Sequence, residues 1–196
     1  RLFFAIDSFD NTSQYKRGLD TPPYTVVSSY DNEGNPLGTV IGDIKDRKAY
    51  MNINGINFLL DLESGETKKI TKSERTTIDD PNITIASYLG SNEYSNDFIK
   101  SFGQMIKDMA PKGVLYGGGG SYIYGLLASG AVDAYVMFNE PLSEIFTGLP
   151  IALDAGCTVV SVDTETGQTK ELKFEPEEIK ANPAIYKNGI VPLYIA

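Results

Sequence analysis

Apolar residues fall along this chain in short runs broken by turn chemistry at first, and later in longer segments that alternate between strand and helix patterns. "LFFAID" predicts a buried strand over about residues 2–7. "YTVVSSYD", "PLGTVIGDI", "KAYMNIN" and "INFLLDLE" follow at close spacing, separated by "NEGNP", "KDR" and "NG". This predicts an antiparallel meander over roughly 24–62, with "ETKKI" as a further short strand after a turn at Ser64–Gly65. "KSERTTIDDPN" is polar and proline-bounded, and reads as a linker or surface loop.

Beyond it, "ITIASYL" (83–89) predicts a strand. Phe98, Ile99, Phe102, Met105, Ile106 and Met109 then recur at helical spacing, with Ser95 or Asn96 as the cap. "GVLYGGGG" reads as a strand entering a glycine turn, and "SYIYGLLASG" as an apolar helix ended by Gly130. "AVDAYVMF" is a strand, "LSEIFTGLPIALDAG" a buried helix despite Pro150, and "CTVVSVDTETGQTKELKF" a hairpin around Thr166–Gly167. The predicted class is a layered α/β (α+β) sandwich: an antiparallel meander sheet followed by a mixed strand and helix layer. The expected division is residues 1–80 and 81–196. The chain starts at Arg1 without methionine, runs straight into an apolar strand and stops on another, "GIVPLYIA". We therefore expect it to be a fragment lacking an amino-terminal part.

Composition narrows the chemistry. The 196 residues are 41% apolar and 22% charged, as in a soluble globular protein. Twenty-six acids against 17 bases give a net charge of −9, which argues against nucleic acid or an anionic membrane as partner. No apolar run is long enough to span a bilayer. The single cysteine, Cys157, is consistent with a reducing compartment and reads as a buried small hydrophobe, so a cytoplasmic location is expected. There is no histidine. That removes Ser-His-Asp and Cys-His catalysis and His-ligated zinc, and leaves carboxylates, hydroxyls, lysines or a hard metal.

Three stretches could carry such chemistry. In "AIDSFDNT", Asp7 and Asp10 end a strand just before Asn11 and Thr12 open a helical turn. Acids three apart beside free backbone N–H groups suit a hard cation bridging protein and phosphate; equally, Asp10 or Asn11 caps a helix and Asp7 solvates a strand end. The run "YGGGGSYIYG" lets backbone approach a ligand at a helix start, or serves as a tight packing turn. It is not a Walker loop. Glu140, Glu144 and Asp154 punctuate an otherwise apolar stretch, and Glu144 alone reads as a first-turn acid complementing the helix dipole.

Taken in order, these motifs resemble the inositol monophosphatase superfamily, magnesium-dependent and lithium-sensitive phosphatases of inositol and sugar phosphates. The archaeal-type fructose-1,6-bisphosphatases are the most similar branch. The family's D-P-[IL]-D-G-[ST] corresponds to Asp7-Ser8-Phe9-Asp10-Asn11-Thr12, and its W-D-x-A-[AG]…E-A-G-G to Ser143-Glu144-Ile145-Phe146-Thr147…Asp154-Ala155-Gly156-Cys157. "SGAVDAY" matches the family's helix-to-strand turn. The resemblance implies that Asp7, Asp10, Glu144 and the Phe9 carbonyl ligate Mg²⁺, two or three ions per site. It implies that Asn11 and Thr12 N–H groups hold phosphate, that Thr12 and Asp10 act in catalysis with the Thr12 hydroxyl orienting the attacking water, and that Gly118, Gly119 and Gly120 border the sugar or inositol ring. It further implies a small phosphorylated metabolite as substrate, and a homodimer. Several positions depart from the family: its upstream acids have no counterpart here, Glu144 stands for Asp, Asn11 for Gly, Ser143 for Trp, Leu115 for Arg, and Met137 for a substrate-binding Glu. Two functional readings stay open. One is a Mg²⁺-dependent phosphatase. The other is a degenerate relative that binds a phosphorylated ligand or a protein partner without turnover.

Overall fold

The computed structural model describes residues 2–18, 23–89, 92–109 and 113–196; Arg1 lies outside them. Six strands form one antiparallel sheet in chain order: β1 (Phe3–Asp10), β2 (Tyr24–Tyr30), β3 (Pro36–Asp43), β4 (Lys48–Ile53), β5 (Ile56–Asp61) and β6 (Thr67–Lys69). This is the predicted meander. Its tightest turn is Asn54–Gly55, both at positive φ (52° and 73°), which matches the twist of the strands it joins. β1 departs from expectation by running on past Asp7 to Asp10. Its pairing with β2 slips between these two residues, a bulge that no residue pattern announces. A short helix, α1 (Thr12–Lys16), follows at once.

The second sheet is mixed. It contains β7 (Thr84–Ala86), β8 (Val114–Tyr116), β9 (Ala134–Pro141), β10 (Val160–Val162), β11 (Thr169–Glu171) and β12 (Ile190–Ile195), in the order β11-β10-β12-β9-β7-β8. β7 runs parallel to β8 and β9, and the other pairings are antiparallel. The helices are α2 (Asn92–Asp108), α3 (Tyr122–Ala128), α4 (Leu142–Asp154), α5 (Pro176–Ala181) and α6 (Pro183–Asn188). α2 starts at Asn92, so Asn96 lies inside it rather than capping it, and the side chain of Ser95 lies outside the described residues. α5 and α6 were not predicted, although each opens on a proline and the Asn182 side chain accepts from the Ala184 N–H at 3.2 Å. The loop over 71–83 is anchored, because Arg75 Nε grips both carboxylate oxygens of Asp133 at 3.0 and 2.9 Å. Among the described residues no helix is long and apolar enough to cross a membrane.

α3 and α4 lie between the sheets, and α2 covers the far side of the second sheet through Phe98 against Val136 and Phe138. α4 carries Pro150, which has no N–H to offer the Phe146 carbonyl one turn earlier. The first sheet supplies the missing donor: the Tyr30 hydroxyl reaches the Phe146 oxygen at 2.5 Å. Beside it, one buried row of the sheet is polar, with Ser28, Thr39, Asn52 and Asn57 side by side on successive strands. Ser28 donates to the Thr147 carbonyl, and Asn57 to that of Ile151 at 3.4 Å. A helix with a proline in its middle therefore sits on a sheet that returns the hydrogen bond lost at Phe146 and adds two more.

The opposite face of this sheet carries an apolar row that is exposed at Ile6, Val27 and Val40 and half-buried at Met51 and Phe58. Ile6, Val27, Val40, Met51 and Phe58 stand in one register row across five strands, and Ile6 is 58% exposed.

α3 and α4 touch at Gly148, where an added Cβ would meet the Tyr124 ring at 1.8 Å with Tyr124 itself fully buried. Gly148→Ala should therefore destabilise the fold by about 2–3 kcal/mol in urea unfolding, where helix propensity alone at an open position would stabilise it by about 1 kcal/mol.

Candidate functional site

β1, α1, the glycine turn before α3, β9 and the first turn of α4 converge on a crevice of about 400 Å³. The β1 bulge turns Asp7 and Asp10 to the same side. Asn11, which closes the strand, holds φ 65° and ψ 25°, a left-handed conformation that Asn tolerates better than most residues. α4 brings Glu144 in from the other side. One oxygen from each of Asp7, Asp10 and Glu144 lies within 4.8 Å of the others. The extra methylene of Glu144 therefore does not carry its carboxylate out of the group.

Hydrogen bonds lock the three supporting elements together. Asp10 accepts from its neighbour Asn11 N–H at 2.7 Å and from Ser121 N–H, at the start of α3, at 2.6 Å. Ser121 and Thr147 hydroxyls meet at 3.0 Å, and Thr147 donates to the Glu144 carbonyl at 2.6 Å. Gly120, at φ 97°, makes the approach to Asp10 possible: a Cβ there would sit 2.6 Å from Oδ2. The Thr12 hydroxyl donates to the Phe9 carbonyl at 2.6 Å.

Of the residues singled out in the sequence, Asp7, Phe9, Asp10, Asn11, Thr12, Gly119, Gly120 and Glu144 all line the crevice. Gly118 stands apart, its open side filled by Tyr116 and Tyr122. Asp154 lies ten residues beyond Glu144, at the end of α4. Cys157 is half-buried rather than buried. The structure adds Glu140, Gln14 and Tyr88 to the lining, with Gln14 Nε2 donating to the Tyr88 hydroxyl at 3.2 Å. Glu140 was visible in the sequence as an acid in an apolar run; Gln14 and Tyr88 carried no signal.

The electrostatics are one-sided. Four carboxylates and no lysine or arginine line the crevice among the described residues. Burial first, then the charge of Asp7, pushes Asp10 up to about 6. Burial, then Asp10 and Asp7, pushes Glu144 up to about 7. Glu144 Oε2 is buried and has no hydrogen-bond partner among the described residues. Crowded carboxylates with an orphaned buried oxygen are the donor set of a hard cation, so the residues present fit a divalent metal ion.

No protein-family model matches the sequence, and no curated protein matches it. Solved structures do match in three dimensions. The extragenic suppressor protein SuhB of Bartonella henselae superposes with a TM-score of 0.68 at 14% identity, covering 100% of this chain and 64% of that one. A Pyrococcus horikoshii protein described as having similarities to inositol-1 monophosphatase gives 0.67 at 21%, covering 100% and 65%. CysQ of Bacteroides thetaiotaomicron, described as a bacterial member of the inositol monophosphatase family, gives 0.66 at 17%, covering 99% and 69%. The molecule is thus a two-sheet α/β sandwich with an acid-lined crevice. It shares its fold with these structures, and the chain spans 64–65% of the length of the first two of them.

The raised carboxyls fix a sign for stability. Asp10 and Glu144 bind protons more tightly folded than unfolded, so their contribution is complete below about pH 4 and is lost as pH rises through 6 to 7. The acids held low by turn hydrogen bonds, Asp31, Asp61, Asp80 and Asp163, act below about pH 4 and do not overlap this window. In chelator, the melting temperature should fall by about 5–10 °C between pH 5 and pH 8. Glu144→Gln, with no proton to lose, should flatten that slope in a series of thermal melts.

Proposed function

We propose that this chain is a Mg²⁺-dependent phosphatase that hydrolyses a phosphate monoester of a sugar or inositol. The observation that carries the reading is the meeting of Asp7, Asp10 and Glu144, with a buried unpartnered oxygen on Glu144, beside the left-handed turn at Asn11. Asp7, Asp10, Glu144 and the Phe9 carbonyl would hold the cation. When bound, Mg²⁺ supplies positive charge to the phosphate oxygens and lowers the pKa of a coordinated water.

The chain's own residues do the rest. Because the Thr12 proton is committed to the Phe9 carbonyl, its Oγ1 presents lone pairs, and these accept a hydrogen bond from the attacking water and aim it at phosphorus. The Phe9 carbonyl keeps a second lone pair for the cation. The Asn11 N–H is committed to Asp10, which leaves the Thr12 N–H as the backbone donor to phosphate. Asp10 is held by two backbone donors, so its carboxylate keeps its orientation through turnover. Gly119 and Gly120 leave room for the alcohol half of the ester. The second reading, ligand binding without turnover, is favoured by one observation. The mutually close group contains three acids, few for two or three cations.

Phosphate release from a panel of inositol, fructose and nucleotide phosphates separates the two. We expect release that requires Mg²⁺ and falls at least about 100-fold in Asp7→Asn. Binding of the same esters without release would establish the second reading.

We also propose that the exposed apolar face of the first sheet carries a second copy of the chain. The accessible surface is 10575 Å², against about 9100 Å² for a compact monomer of this mass. The surplus, about 1500 Å² on one chain, is more than the roughly 800 Å² that one partner contributes to a standard interface. Sedimentation should show a dimer that Val40→Lys, a charge in the middle of the exposed row, shifts to monomer.

A further inference from the structure

The crevice holds a fourth carboxylate that stands outside the group of three. Along β9, Val136 and Phe138 pack toward α2, while Tyr135 and Met137 face the other way. Unbroken alternation would put Glu140 with Phe138, in the apolar layer. Asn139 breaks it. A positive φ of 54° within the strand rotates the chain, and Glu140 enters the crevice on the side of Met137. A left-handed residue inside a strand is a strained choice that a plain structural strand does not need.

Glu140 is only 3% exposed, and its single hydrogen bond among the described residues is a long one, 3.5 Å from the Tyr135 hydroxyl to Oε1. Tyr135 in turn accepts from the Gly120 N–H at 3.2 Å, so the carboxyl is tied to the glycine turn that borders the crevice. Burial, with Glu144 and Asp10 nearby, holds the group well above the usual carboxylate range. A buried carboxyl facing a cavity with one weak partner has hydrogen-bonding capacity to spend on a ligand. A hydroxyl, being donor and acceptor at once, satisfies it in either protonation state.

Building on the phosphoester reading above, we propose that Glu140 reads the alcohol half of the ligand, hydrogen-bonding a free hydroxyl so that polyol phosphates are preferred over esters with no hydroxyl. An ester without that hydroxyl fills the crevice but leaves the carboxyl unpaired, and this is the source of discrimination.

Two esters of one shape test it: myo-inositol 1-phosphate and cyclohexyl phosphate, the same ring with and without hydroxyls. With Mg²⁺ present, kcat/KM is measured for both, or Kd by calorimetry if neither is turned over, in wild type, Glu140→Gln and Glu140→Leu. We expect wild type to favour the inositol ester about 10- to 100-fold, Glu140→Leu to bring the ratio close to one, and Glu140→Gln, which keeps hydrogen-bonding atoms, to fall between. No preference in wild type, a ratio unchanged by either substitution, or an equal loss on both esters would overturn the proposal while leaving the phosphoester reading in place. If wild type neither cleaves nor binds either ester, that reading falls and this one with it.

Discussion

The placement of α4 is the constraint on which the rest depends. A proline in the middle of a buried helix leaves a carbonyl without its donor, and such a helix is stable only where another element makes up the loss. Here the Tyr30 hydroxyl does so at Phe146, and Ser28 and Asn57 add further donors from the first sheet at Thr147 and Ile151. Because these partners sit at fixed register positions, α4 has one seat on the sheet. Gly148 lets α3 close against it. Once the helix is seated, its first turn delivers Glu144 opposite Asp7 and Asp10, and the Ser121–Thr147 contact ties that turn to the segment that also holds Asp10. The polar row that looks wasteful inside a core is what gives the site its geometry.

That geometry gathers like charges with no basic side chain to balance them among the described residues lining the crevice. Burial and mutual repulsion raise the carboxyls, which favours the protonated crevice at low pH and disfavours the ionised one near neutrality. A bound cation reverses this balance, so site and stability are coupled through one set of residues. The same logic would let a chain of net charge −9 take an anionic ester, the local sign being set by a bound ion and not by the chain.

Much of this was legible from residues alone. The meander could be read because each of its turns carries its own chemistry, and the strand–helix alternation of the second half because the apolar spacing changes. Asp7, Asp10, Asn11 and Thr12 drew attention as polar groups gathered at the end of a strand. Glu144 alone read as a first-turn helix acid and was joined to them only by the family resemblance; all five line one crevice. What could not be read depends on pairing and strain. The β1 bulge exists only relative to β2. The turn of Glu140 into the crevice rests on the φ of Asn139, which a pattern of even and odd positions cannot contain. α5 and α6 are too short for periodicity to build up, and only their prolines mark them. Gln14 and Tyr88 reach the crevice from distant parts of the chain.

The central claim, that Asp7, Asp10 and Glu144 form a cation site that works together with phosphate, is tested most directly by titrating the protein with Mn²⁺, followed by electron paramagnetic resonance, with and without inorganic phosphate. The account predicts saturable binding that tightens when phosphate is present and weakens at least about tenfold in Asp7→Asn and in Glu144→Gln. No binding at millimolar Mn²⁺, or binding indifferent to both substitutions, would contradict it.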